Sequence, residues 1–131
     1  MPEVNVWAVL ACGVGSLVLG ALWYSPALFG NRWQRLAGVS EEQLAGGHFK
    51  IFGLAFVLSL VAASVFAIFL GPDMGLGPSI GAGASAGLCW VAASFGINYL
   101  FERRPLGLWL INGGYHTFQF TMFGLILGLL K

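Results

Sequence analysis

The chain has 131 residues and a net charge of only +1, and 58% of its residues are hydrophobic whereas 8% are charged. A soluble globular domain of this length needs far more polar surface, so the composition excludes that class and points to a membrane protein. The basic residues lie in loops and at the C-terminus and form no stripe, which argues against nucleic acid as a partner.

Four stretches carry no charged side chain, and each is long enough to cross a bilayer as a helix, which takes roughly 20 residues. They are residues 4–24, 51–70, 80–101 and 106–130. We therefore predict an all-α integral membrane four-helix bundle that forms a single transmembrane domain over residues 1–131. Because the N-terminus carries Glu3 and no Lys or Arg, it lacks the basic region of a secretory signal, and we expect the first stretch to be a retained span.

The loop after the first span predicts one or two short interfacial helices. Ser25-Pro26 has the form of an N-cap followed by proline at the first helical position, and Ser40 with Gln43 matches a capping box. The loop is either a surface for a lipid headgroup or partner, or a connector that anchors the helices, and the connector is the simpler interpretation. The expected interfacial anchors are Trp23, Tyr24, Trp33, Arg32 and Arg35.

The distribution of basic residues predicts the orientation. The first loop holds Arg32, Arg35 and Lys50, the third holds Arg103 and Arg104, and the second loop has none. Because basic loops stay in the cytoplasm, we expect both termini outside. In a bacterium the location would be the inner (plasma) membrane, with the lipid bilayer as the obligatory surroundings.

Small residues recur at four-residue spacing in every predicted span, which permits close approach of helix backbones. Because four short helices bury little interior, we expect one of these faces to pack against an identical subunit or another membrane subunit. The small residues are Ala8, Cys12, Ser16 and Gly20 in the first span; Ser59, Ala63, Ala67 and Gly71 in the second; Gly77, Gly81 and Ser85, with Gly83 and Gly87, in the third; and Gly124 and Gly128 in the fourth.

The fourth stretch carries a polar stripe formed by Asn112, His116 and Gln119, with Tyr115 at its edge. At helical spacing the three side chains lie within roughly 60° of arc. Exposed to lipid they would leave donors and acceptors unsatisfied, so the stripe must face protein or water. The candidate ligand or pathway residues are therefore Asn112, His116, Gln119, Tyr115 and Asn98, and Trp90 is a further candidate partner on the third span.

Catalytic and cofactor signatures are missing. No Asp or Glu falls within a predicted span, and no CxxC, HExxH or phosphate-binding loop occurs. Within one chain, His48 at the surface and His116 about 15 Å deep cannot ligate the same haem. We therefore expect no enzyme activity, no metal and no cofactor; only a His116 pair across a two-fold axis would supply haem ligation.

Two runs carry a resemblance to a known family. The segment from Trp23 to Trp33, and the segment Phe101-Glu102-Arg103-Arg104-Pro105 followed by Trp109 to Tyr115, resemble the signature regions of a bacterial membrane family catalogued as domain of unknown function seventeen sixty-one. The resemblance covers nearly the whole chain and implies the four-helix layout. It implies no activity.

Three interpretations of function follow. The first is a non-enzymatic, homo-oligomeric membrane protein that binds or passes a small polar solute, ion or proton at the polar stripe. The second is an accessory subunit of a larger membrane complex, since the chain has almost no extramembrane mass. The third, a membrane-embedded haem protein or enzyme component, has the least support from the residues.

Overall fold

The computed structural model describes residues 4–130, and within this range it is helical without any strand, which confirms the all-α prediction. The N-terminal feature predicted from Glu3, and the basic residue at the C-terminus, Lys131, lie outside the described residues. The helices are α1 (Val6–Trp23), α2 (Gly30–Ala37), α3 (Glu41–Ala45), α4 (His48–Leu70), α5 (Leu76–Ser85), a π-helical segment (Ala86–Ala92), α6 (Ala93–Phe101) and α7 (Leu106–Leu129).

Three helical stretches in the described chain are long and apolar enough to cross a membrane, which makes this a membrane protein in its general class. They are Val6–Trp23, His48–Leu70 and the continuous stretch Leu76–Phe101. Helix α7 has 24 residues and no charged side chain, but the polar stripe and the residues next to it lower its mean hydropathy. Length and composition alone therefore do not identify α7 as a span.

Helix α1 lies between α4 and α7, and α7 packs most extensively on α5 and the π-helical segment. The α1 face with small residues is the buried one: Cys12 is 0% exposed and Ser16 is 2% exposed. Because these side chains are small, α1 can contact both neighbours closely, and Ala63 on α4 is buried against the same core. The predicted packing role of this ladder is confirmed.

The contact between α5 and α7 depends on glycine. A Cβ atom on Gly83 would lie 2.1 Å from the carbonyl oxygen of Phe120, and one on Gly124 would lie 2.2 Å from that of Ser79. Ser79 Oγ also donates a hydrogen bond of 2.7 Å to the carbonyl oxygen of Gly124. The two backbones can approach this closely only because no side chain separates them.

The connector after α1 differs from its prediction. The pair Ser25-Pro26 does not open a helix; Ser25 Oγ donates to the carbonyl oxygen of Leu22, and α2 begins at Gly30. The chain turns back so sharply that a Cβ on Gly30 would lie 2.3 Å from the carbonyl oxygen of Tyr24. Backbone hydrogen bonds from Phe29 to the Trp23 carbonyl oxygen and from Gly30 to the Ser25 carbonyl oxygen close this turn, and it replaces the predicted helix start.

The next two helix starts follow from local sequence. Ser40 Oγ accepts from the Gln43 backbone N–H, and the Gln43 side chain accepts from the Ser40 N–H, so the predicted capping box is confirmed. Gly47 adopts a left-handed conformation with φ of 71° and separates α3 from α4. The chain therefore enters α4 at His48, three residues before the predicted start of the second span.

Candidate functional site

Asn112 joins three helices at the end of the bundle where α1 and α6 finish and α7 begins. Its Oδ1 accepts a hydrogen bond of 2.6 Å from the Tyr24 hydroxyl, which follows α1. Its Nδ2 donates a bond of 2.8 Å to the hydroxyl oxygen of Tyr99 on α6. The amide is thus satisfied on both sides, and it holds α1 and α6 on either side of α7.

One helical turn deeper, α7 is bonded to α1 through Ser16. The Tyr115 hydroxyl donates to the Ser16 carbonyl oxygen at 2.9 Å, and Gln119 Nε2 donates to Ser16 Oγ at 3.0 Å. Gln119 is only 5% exposed. Since buried polar groups are costly unless paired, these two bonds explain why a serine and a glutamine are tolerated in an apolar interface.

His116 is oriented by Gln119. Its Nδ1 lies 2.7 Å from Gln119 Oε1. The Gln119 amide nitrogen is committed to Ser16, so the amide oxygen faces the imidazole, and an amide oxygen can only accept. In this network, Nδ1 of the neutral ring therefore carries the proton, and Nε2 presents a lone pair.

The Nε2 atom of His116 is the polar atom that the network does not use. It has no hydrogen-bond partner within residues 4–130. It is also not sealed from the surface, because the described chain contains no buried side-chain nitrogen or oxygen without a partner. Two aromatic rings hold the imidazole in place. Phe95 stacks on it with ring centroids 5.1 Å apart and ring planes 12° apart, and Tyr115 makes a T-shaped contact with it at a centroid distance of 4.9 Å.

Aromatic rings line this part of the protein. All three tyrosines of the chain, Tyr24, Tyr99 and Tyr115, belong to the site. Beyond Gln119, the same interface becomes apolar, and Phe123 on α7 is completely buried. The polar network (Ser16, Tyr24, Tyr99, Asn112, Tyr115, His116 and Gln119) therefore occupies one half of the bundle and stops near its middle.

The structure brings together most, but not all, of the predicted site residues. Asn112, Tyr115, His116 and Gln119 face the neighbouring helices as expected, and their role as a site stays a prediction. Asn98 is exposed on α6 and does not reach the network.

The other partners expected from the third span do not reach the network either. Trp90 is 64% exposed and points away from α7, so its predicted contact with the stripe is wrong. Glu102 pairs with Arg104 at 3.1 Å and makes no ion pair with Arg32 or Arg35.

The anchors near the first loop divide into two groups. Trp23 and Tyr24 are turned toward α7: Trp23 Nε1 donates to the Ile111 carbonyl oxygen at 2.9 Å. Trp33 packs edge-on against Tyr24 with ring centroids 5.4 Å apart. The predicted anchors Arg32 and Arg35 are exposed.

Sequence reasoning missed Ser16, Tyr99 and Phe95 as site residues. Ser16 was recognised only as a small packing residue, although it is the one residue of its ladder with a hydroxyl. Tyr99 and Phe95 lie one turn apart on α6, and a π-helical segment precedes them, which shifts their register relative to α5. The described residues contain no group of three or more His, Cys, Asp or Glu that could hold a metal ion.

The model of one protein family matches residues 7–128, and its description reads "Protein of unknown function (DUF1761)". Searches of curated proteins and of solved structures gave no match.

Proposed function

The chain belongs to the DUF1761 family, whose description assigns no activity, and we propose that it is a four-span membrane protein that binds a small polar solute at Nε2 of His116. The observation that carries the proposal is the Nε2 atom, which no hydrogen bond uses and which is not fully buried, beside an otherwise satisfied network. An ionisable side chain at depth in a membrane is costly, so one that is fixed in place and keeps an unused acceptor atom is a natural binding group.

The proposal takes α7 as the fourth span. Its 24 residues suffice to cross the hydrocarbon layer, and the side chains that lower its apolar content are bonded to α1 and α6 rather than turned outward. Because the five described basic residues lie at the end with α2 and the loop after α6, that end is cytoplasmic in our proposal, and both ends of the chain lie outside.

The topology can be measured with compartment-sensitive reporters fused after Val39, after Asp73 and at the C-terminus. We expect a cytoplasmic signal only from the fusion after Val39, since that loop carries Arg32 and Arg35. A cytoplasmic signal at the C-terminus would mean that α7 does not cross the membrane, and the proposed depth of His116 would be wrong.

The geometry favours binding over passage. The polar network reaches from the cytoplasmic end to Gln119, whereas Cys12, Phe66 and Phe123 fill the outer half of the bundle. Among residues 4–130, the hydroxyl groups in this half donate to backbone carbonyl oxygens, as Ser79 does to Gly124, and they form no continuous path for a solute or proton. A solute would therefore enter from the cytoplasmic half and leave by the same route.

The network also restricts the chemistry of the solute. Because Nδ1 is used as a donor, Nε2 of the neutral imidazole can only accept, so the solute must offer an N–H or O–H group. Hydroxyl, amine and amide compounds of a few heavy atoms fit this description.

The test uses diethyl pyrocarbonate, which acylates accessible neutral imidazole nitrogens. In a His48→Gln variant, His116 is the remaining one of two histidines. We expect one equivalent of acylation, slowed by a solute that occupies the site; glycerol, ethanolamine and urea are the first probes. Absence of acylation in the folded protein would show that Nε2 is closed, and the proposal would fail.

A homo-oligomer is the second part of the proposal. A Cβ on Gly77 or Gly81 would meet no atom within 4 Å, so this face of α5 is open for close packing, and exposed Ser85 and Cys89 continue it at four-residue spacing. Two copies that associate there would bring their Cys89 thiols together. An accessory subunit would instead present the same face to a different protein.

Mild oxidation of membranes distinguishes these two outcomes. We expect a covalent dimer that disappears in the Cys89→Ser variant, because the other cysteine, Cys12, is buried and cannot substitute for it. If Cys89 forms no dimer and other polypeptides copurify with the protein, the accessory role becomes the better account.

A further inference from the structure

The end of the molecule that is cytoplasmic in the proposed orientation holds a cavity, separate from the polar network. It has a volume of about 360 Å³ and lies between α2 and the beginning of α7, where Arg32, Arg35, Leu36 and Gly107 line it. The position of α2 is fixed by the turn at Gly30, and Leu36 packs so tightly that a Cβ on Gly107 would lie 2.9 Å from Leu36 Cδ1. The surface of the cavity is therefore mainly apolar, and the two arginines contribute carbon atoms to it far more than guanidinium nitrogens.

Both arginines at this cavity lack partners. Neither guanidinium makes a hydrogen bond or an ion pair within residues 4–130. Glu41 accepts a hydrogen bond from Gln34 and Glu102 pairs with Arg104, so neither carboxylate pairs with these arginines. Two unpaired guanidinium groups that flank one cavity form a binding site for an anion, which planar guanidinium can bind with two parallel hydrogen bonds.

The beginning of α7 adds to the same positive field. This helix starts after Pro105 without a side-chain cap, so its first backbone N–H groups point toward the end where the cavity lies. A helix of 24 residues has a full dipole at this end. The cavity thus combines two side-chain charges with a partial positive charge from the backbone.

We propose that the exposed guanidinium groups of Arg32 and Arg35 bind the phosphate group of an anionic glycerophospholipid from the cytoplasmic leaflet, with the apolar part of the lipid against the cavity beside them. The lipid is favoured over a free anion because the cavity lies where α1 and α6 finish and α7 begins, which is the level of the headgroups in the proposed orientation, and because the cavity surface beside the arginines is apolar. Basic pockets on the cytoplasmic side of spans are known to recognise such headgroups. The site is independent of the solute site at His116.

The test compares lipids on purified protein in a neutral detergent, with bound lipid counted by native mass spectrometry. Wild-type protein should retain phosphatidylglycerol in preference to phosphatidylcholine. Arg32→Gln should weaken phosphatidylglycerol binding about fivefold, and the double variant with Arg35→Gln about 25-fold, from roughly 1 kcal/mol per basic residue near the surface. Lys50→Gln, an equal loss of charge outside the cavity, should change binding less than twofold.

Three results would overturn the proposal. If Lys50→Gln and Arg32→Gln weakened phosphatidylglycerol binding equally, the binding would depend on general surface charge and not on this site. Displacement of phosphatidylglycerol by equimolar inorganic phosphate would identify a free-anion site. If the wild-type protein retained phosphatidylcholine as well as phosphatidylglycerol, the site would have no charge selectivity. This comparison needs no variant, so it tests the proposal even if the arginine variants fold poorly.

Discussion

Replacing Gly124 by alanine should destabilise the bundle by about 1–3 kcal/mol, and replacing it by leucine should prevent α5 and α7 from packing. The reason is distance: the new Cβ would lie 2.2 Å from the Ser79 carbonyl oxygen, and backbone atoms cannot move aside as a flexible side chain does. The hydrogen bond from Ser79 Oγ to the Gly124 carbonyl oxygen would be lost with the contact. Unfolding titrations in mixed detergent micelles measure the change.

Gly81→Ala is the matched control. Both substitutions gain about 1 kcal/mol of helix propensity, so that term cancels in the comparison. A Cβ on Gly81 would meet nothing within 4 Å, and Gly81→Ala should leave the monomer as stable as the wild type or more stable. Equal stability of the two variants would show that the close approach of α5 and α7 does not hold the fold together.

His116→Asn should abolish solute binding while the protein stays folded. The asparagine amide can replace Nδ1 as the donor to Gln119 Oε1 but has no atom at the position of Nε2. A solute present at 100 times its dissociation constant should therefore stabilise the wild type by about 2.7 kcal/mol and the variant hardly at all. Thermal unfolding with and without the solute provides the comparison.

Two further variants separate binding from folding. Asn112→Leu leaves the Tyr24 and Tyr99 hydroxyls without their partner and should cost about 1–3 kcal/mol of stability, yet it keeps Nε2 and so should keep binding. His116→Leu removes Nε2 and also leaves buried Gln119 Oε1 without a donor. This variant should therefore lose solute binding and also be less stable than the wild type. If His116→Asn bound the solute as the wild type does, Nε2 would not be the binding group.

Much of the fold followed from elementary patterns. The uncharged stretches predicted the long helices to within a few residues, and the ladder with Cys12 and Ser16 predicted which face of α1 is buried. These features depend on local composition and helical periodicity, which a single sequence contains. The ladders of the third span were harder to interpret. A Cβ atom on Gly83 would clash with α7, whereas one on Gly81 would meet no atom within 4 Å.

Only the site residues on α7 could be predicted from the sequence. The polar stripe on α7 follows from helical spacing, but its partners lie on helices whose rotation depends on packing. The π-helical segment Ala86–Ala92 shifts the register of α6 relative to α5, and Trp109 Nε1 donates at 2.7 Å to the Ala92 carbonyl oxygen at its end. With this shift, Tyr99 rather than Asn98 faces Asn112, which a uniform helical wheel could not show.

In the connector between α1 and α4, the predicted helix start at Ser25-Pro26 was wrong. Ser25 and Pro26 have strong local preferences for a helix start, but the backbone closes a turn here instead, with hydrogen bonds from Phe29 to Trp23 and from Gly30 to Ser25. At Ser40 and Gln43 the side chains form the capping bonds that the sequence predicts, so that helix start was confirmed.

The most direct measurement is nitrogen NMR of the imidazole in the His48→Gln variant labelled with ¹⁵N-histidine. We expect a neutral His116 with a protonated Nδ1 and an unprotonated Nε2, and we expect the Nε2 resonance to move when a bound solute donates a hydrogen bond to it. A ring protonated at Nε2, or an Nε2 resonance that no hydroxyl, amine or amide solute shifts, would contradict the account.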